Sequence, residues 1–280
     1  MIDAILQYEF LQNAFLTGII IGIIAPLIGV FVVVRRLSLI ADALSHVTLA
    51  GIAASLLLEK KFLPAGSLNP IYIGMVFSIV GSLFIEKLRT VYKHYQELAI
   101  PIILSSGTGL SVIFISVADG FNTDLFGYLF GSVSAVSRAD FWMVLIISIF
   151  VIAIIVLFYK ELFLISFDEE HAKASGIPVK GFHLIFIIMV ALVIASSMRI
   201  VGVLLVSSLM TLPVASAIRL SNGFKQTILY SIIFGETAVL GGLTISYYLD
   251  LAPGGTIVMI SVIILILSIL RKKGMVKRAV

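Results

Sequence analysis

Long apolar blocks, each closed by a short polar cluster, repeat from one end of this chain to the other. Read as helices, they fall at 13–34, 38–58, 70–85, 98–118, 139–158, 182–198, 200–218, 224–248 and 255–270. A helix needs about 20 residues to cross a hydrocarbon core of about 30 Å, and several blocks reach that length. Only Ser196 to Arg199 interrupts the stretch 182–218, so the pattern predicts eight or nine spans. The predicted fold is an all-α polytopic membrane protein, organised as one transmembrane domain over residues 1–280.

Composition strengthens this picture. Of 280 residues, 60% are hydrophobic and 12% charged, about half the charge of a soluble domain. The chain has no cysteine, which excludes disulfides and thiolate metal ligands. MIDAILQYEFLQ at the amino end has no Lys or Arg, so no cleavable signal is expected and the first span inserts by itself. The net charge of +4 is spread over loops, without the long basic run that would suggest nucleic acid.

Basic residues also set an orientation, because cytoplasmic loops retain Lys and Arg. With the amino end outside and the carboxyl end cytoplasmic, only Lys60, Lys61, Arg138 and Arg199 of the 19 basic residues fall outside. The inverted arrangement reverses that ratio. Gly18 and Gly22 form a GxxxG in the first span, a spacing that lets membrane helices approach closely. Pro26, lacking a backbone donor, is expected to kink the same helix.

Candidate chemistry lies in the few charges left inside spans. Among the acidic residues only Asp42 and Glu236 fall well within one, and His46 is the one histidine deep in a span. Ionisable groups at membrane depth mark a pathway or site by default. Asp42 and His46 are spaced i, i+4 and share a helix face, with Ser38, Ser45 and Thr48 adding hydroxyls nearby. Three readings fit the pair: a transit site for zinc, manganese or iron, a proton relay, or a hydrogen bond that fixes packing. Two ligands are too few for a tight structural site and suit an ion that must be released. Glu236, in FGETAVLGG, is a further candidate pathway carboxylate or a packing contact. A hydrolase built on Ser45 and His46 is a poor third option, since adjacent helical residues point about 100° apart and no GxSxG motif accompanies them.

The segment of about 160–181 holds a short capped helix outside the spans. In ISFDEEHAKASGIPVKG, Asp168 is the predicted N-cap, Glu169 and Glu170 occupy the first turn, Gly176 makes the terminal turn and Pro178 the stop.

These motifs carry a resemblance. DEEHAKASGIPV resembles the coupling helix of bacterial ATP-binding-cassette importer permeases, and RRLSLIADALSHVTLAG resembles the signature of their metal-ion branch. TDLFGYLFGSVSAV, MRIVGVLLVSSLMTLPVASA and SYYLDLAPGGTIV are similar to further motifs of that branch, in order, over nearly the whole chain. The resemblance implies a type II importer-like permease bundle working as a homodimer, driven by a pair of cytoplasmic ATP-binding subunits and fed by an extracytoplasmic metal-binding protein. It implies Asp42 and His46 as metal ligands, with Asp168, Glu169, Glu170, Ala174, Ser175 and Gly176 coupling to the ATPase. Two facing copies would then supply two Asp and two His. SHVTLAG looks more like the zinc members, since manganese members often carry Pro at the position of Ala50, so zinc is the expected cargo, with manganese or iron as the alternative. No permanent cofactor is expected. The chain has no GxxxxGK[ST] phosphate loop, so it is not an enzyme and its ATPase is a separate chain. A proton-driven secondary transporter, relaying through Asp42, His46 and Glu236, is the competing class.

Overall fold

The computed structural model describes residues 7–278 apart from 63, 65–68, 119 and 121–122, with side chains as far as Arg271, those of 123 and 124 excepted. The first half of MIDAILQYEFLQ and the side chains of Lys272, Lys273, Lys277 and Arg278 lie outside the described residues. In chain order the helices are α1 (Glu9–Val34), α2 (Ser38–Lys61), α3 (Pro70–Val91), α4 (Ala99–Val117), α5 (Thr123–Phe130) and α6 (Arg138–Leu157). They continue with α7 (Tyr159–Phe167), α8 (Glu169–Ala174), α9 (Val179–Val201), α10 (Val203–Leu220), α11 (Phe224–Leu249) and α12 (Pro253–Arg278). Among the described residues nine of these are long and apolar enough to cross a membrane, the exceptions being α5, α7 and α8. The protein is an all-α, multi-pass bundle.

Gly202 decides between eight spans and nine. It ends α9 and begins α10 with no loop between them, at a φ of 85° that residues with a side chain rarely adopt. A Cβ there would also lie 2.5 Å from the Leu129 carbonyl oxygen. The stretch between the predicted spans 98–118 and 139–158 contains the short helix α5, which packs against α9 and α10. A second unforeseen helix, α7, follows α6 after Phe158.

In a bilayer, lipid tails are as apolar as leucine, so close packing rather than exclusion of water holds helices together. Small residues supply the contact. Gly18 and Gly22 of α1 face α11 so closely that a Cβ would sit 2.7 Å from Leu243 Cδ1 or 2.7 Å from Glu236 Oε1 respectively. Pro26 does not interrupt α1, which runs unbroken to Val34. Having no N–H, it leaves the Gly22 carbonyl without its helical donor, and Gly235 of α11 packs into that place. Around the bundle, Ile146, Ile149, Val156 and Leu157 of α6 and Ile263, Leu267 and Leu270 of α12 are exposed.

Candidate functional site

The helix carrying Asp42 and His46 is fixed at its start by a turn. Arg36, at a φ of 57°, places its N–H 3.0 Å from the Val33 oxygen, and Leu37 N–H reaches the Val32 oxygen at 2.9 Å. This pair of bonds satisfies the last carbonyls of α1 at a cost of about 1–2 kcal/mol for a left-handed residue with a side chain. Beyond it α2 is gripped from two sides. A Cβ on Gly81 of α3 would lie 2.8 Å from Val47 Cγ1, and one on Gly107 of α4 would lie 2.8 Å from the Val47 nitrogen. From Val47 to Ser55 every residue of α2 is buried within the chain.

Before Val47 one strip stays open. Leu39 is 58% exposed, and Asp42 and His46 are half-buried while Ala43, Leu44 and Ser45 between them are buried. Asp42 and His46 thus share a face that turns away from the chain's own bundle. Among the described residues neither forms a hydrogen bond or ion pair, to the other or to any third group. The packing bond considered from the sequence is therefore not formed. The neighbouring hydroxyls also differ from expectation: Ser45 and Thr48 point into the bundle, Thr48 Oγ1 donating to the Leu44 oxygen at 2.7 Å.

Glu236 is not brought to this strip. Its Oε1 is buried against Gly22 of α1 without a hydrogen-bond partner. Among the described residues no three of His, Asp or Glu gather as a metal-holding group. Asp42 and His46 are the ionisable pair this chain presents on α2.

Helix α8 forms as its sequence predicts. Asp168 accepts from His171 N–H at 2.8 Å, and Lys173 Nζ lies 2.7 Å from Glu169 Oε1. Gly176, at a φ of 82°, closes the helix, with its N–H 3.1 Å from the Lys173 oxygen and Ile177 N–H 3.1 Å from the Ala172 oxygen. Ala172 is buried against Ile165 and Val179, while Asp168, Glu169, Glu170, Ala174, Ser175 and Gly176 are all exposed. A cavity of about 230 Å³ separates α8 from the α3–α4 turn and the start of α9, lined by Glu86, Arg89, Lys93, Glu169, Lys180 and His183 among others. Sequence reasoning missed this cluster, since each member looked like an ordinary charge at a span border.

Nine apolar helices among the described residues, with a polar pair on an open helix face and a capped helix beyond the spans, fit a membrane permease. The chain belongs to the ABC 3 transport family, which it matches over residues 7–272. Members of that family are non-catalytic permease subunits of ATP-driven divalent-metal importers and work with a separate ATPase. The chain is 36% identical over 270 residues to the manganese transport system membrane protein MntC of Listeria monocytogenes, covering 96% of this chain and 93% of the relative. It is likewise 36% identical over 282 residues to the manganese import system permease protein ScaB of Streptococcus gordonii, covering 100% and 98%. Among solved structures, PsaBC from Streptococcus pneumoniae in complex with Fab matches with a TM-score of 0.82 at 34% identity, over 95% of this chain and 93% of the other. A metal-chelate type ABC transporter in an inward-facing conformation, 15% identical, shares the fold with a TM-score of 0.66.

One expectation is corrected by these relatives. The sequence reading paired the chain with a second copy of itself, but the matched assembly, PsaBC, is named for two distinct components. That assembly does not support a homodimer of this chain, or the doubled set of Asp and His that two facing copies would present. The single strip of α2 stands as the chain's contribution.

Proposed function

We propose that this permease carries manganese, that Asp42 and His46 are its pathway ligands, and that α8 docks on the ATPase. The observation that carries the reading is the open strip in the first half of α2, where a carboxylate and an imidazole face outward beside buried Ala43, Leu44 and Ser45. One negative charge offsets part of a dication's charge, and carboxylate and imidazole both accept manganese. Zinc, expected from SHVTLAG, gives way because the relatives named for a metal at 36% identity are manganese systems. Support for a cytoplasmic α8 comes from Arg89, Lys93, Lys173 and Lys180 gathering at one end of the bundle. In that orientation the amino end is outside, and residues 1–280 act as one permease domain.

The test is ATP-dependent uptake by the reconstituted transporter with manganese and zinc at equal free concentration. Zinc binds nitrogen and oxygen ligands more tightly than manganese does, so accumulated metal is measured rather than bound metal. Manganese accumulation exceeding that of zinc is expected; the reverse would return the assignment to zinc. For α8, Glu170→Arg is expected to lower recovery of the ATPase on co-purification several-fold, as charge reversal at an interface rim does. Full recovery at ordinary salt would remove Glu170 from the docking surface.

A further inference from the structure

Three spans meet around one buried imidazole at the end of the bundle that holds α8. His183, 5% exposed, lies in the first turns of α9. Its Nδ1 is 2.5 Å from Arg35 Nη2, and Glu86 Oε2 is 3.1 Å from its Nε2. A neutral imidazole has one N–H and one lone pair, while a guanidinium only donates. With Nδ1 accepting from Arg35, the Glu86 carboxylate lies beside Nε2 as a close contact, its Oε2 forming no hydrogen bond. Arg89 Nη1 also crowds Nε2, a donor against a donor. Its usable acceptors are Gln96 Oε1 at 3.2 Å and Glu86 Oε2 at 3.9 Å. The chain of contacts runs Arg35 to His183 to Glu86, with Arg89 sharing the carboxylate.

Arg35 is held a second way, its guanidinium 4.9 Å above the centre of the Phe186 ring, one turn on from His183. Burial, and then the charge of Arg89, pull Arg35 down to about 10. It remains a cation and a donor near neutral pH. Its place in the chain matters more. Arg35 caps α1 within the turn that starts α2, seven residues before Asp42. His183 lies seven residues after Gly176, which closes α8.

We propose that the Arg35–His183–Glu86 contact transmits movement of α8 to the metal-bearing helix α2. This rests on the reading of α8 as the docking helix and of Asp42 and His46 as pathway ligands. Helix α8 is joined to α9 by Ser175–Pro178 alone, and Ile177 N–H is bonded back to Ala172. Ala172 and Val179 pack with Ile165 in one small apolar cluster. A tilt of α8 therefore carries the first turns of α9, and His183, with it. At the other side the turn at Arg35–Leu37 is bonded into α1 and opens directly into α2, so a pull on Arg35 is passed to the helix of Asp42. His183 and Arg35 are positioning residues; neither reaches the ion.

The experiment compares ATP hydrolysis with manganese uptake in reconstituted transporter carrying Arg35→Ala, His183→Ala, the double variant and His183→Gln. Each single variant is expected to keep its ATPase bound and hydrolysing within about twofold of wild type, while uptake per ATP falls about tenfold. The double variant should be no worse than either single one, as for two residues acting through one contact. His183→Gln, which keeps one acceptor and one donor, should recover much of the uptake. Unchanged uptake per ATP, uptake and hydrolysis falling in parallel, or additive losses would overturn the link. A wild-type transporter that moves no metal would sink the functional reading along with it. Wild-type uptake beside any of those three variant results sinks the link alone.

Discussion

Asp42→Ala is expected to cut ATP-dependent manganese uptake by about a hundredfold while leaving the permease folded and bound to its ATPase. The magnitude follows from losing one charge-assisted ligand, worth about 3 kcal/mol, at about 1.4 kcal/mol per factor of ten. The separation of transport from folding follows from the structure. Asp42 sits on the open strip in the first half of α2 and forms no hydrogen bond or ion pair with any described residue, so its removal orphans nothing in the bundle. Asp42→Asn keeps the shape and removes the charge; if the carboxylate meets a dication, it should lose nearly as much. His46→Ala removes the neighbouring nitrogen ligand and should be impaired in the same assay. A proton relay predicts a different pattern, in which uptake follows an imposed pH gradient and persists without ATP. Unchanged uptake in both alanine variants would take the pair out of the pathway.

Most of the architecture is written in hydropathy, because a bilayer demands one kind of segment at one length. Eight or nine spans follow from it, Gly202 deciding for nine among the described residues, while the placement of Lys and Arg marks the basic end. Helix α8 was equally legible, since Asp168, Gly176 and Pro178 each act locally on their own backbone. What escaped was structure with no such local demand. Helix α5 is eight residues long, too short to register as a span, and α7 follows α6 so closely that its apolar residues look like an extension of the same block. The orientation of Ser45 and Thr48 depends on how α3 and α4 flank α2, which periodicity alone does not say. The Arg35–His183 contact joins positions 148 residues apart. Each end of it is an unremarkable polar residue at the margin of a span, and only the packing of α1 against α9 brings them together. The same distance-dependence explains Glu236: a carboxylate in a span signals something, but the sequence does not say which neighbour it faces.

The largest effect on stability is expected at the opposite end of the bundle, for Arg199→Ala. Asp140 is buried at the start of α6, where its Oδ2 accepts from Ser137 N–H at 2.8 Å, Ser137 Oγ at 2.6 Å and Arg199 Nη1 at 2.5 Å. Its Oδ1 has no partner. Arg199 also lies 5.8 Å from the centre of the Tyr128 ring of α5, and its carbonyl accepts from Ser132 N–H at 3.0 Å. The pair thus ties α6, α9 and the segment after α5 together where Gly202 interrupts the long apolar run. Removing the guanidinium leaves a buried carboxylate with only the capping serine, and breaking such a pair from one side costs roughly 3–5 kcal/mol. The backbone bond from Ser132 is untouched by the change, so the loss is read as electrostatic. Thermal unfolding in detergent should show Arg199→Ala melting several degrees below wild type, with Asp140→Ala lower than wild type as well. The double variant, with no charge left buried, should lose less than the two single losses combined. A double variant at their full sum would show that the two residues act separately. In that case the link between α6 and α9 at this end would rest on helix packing.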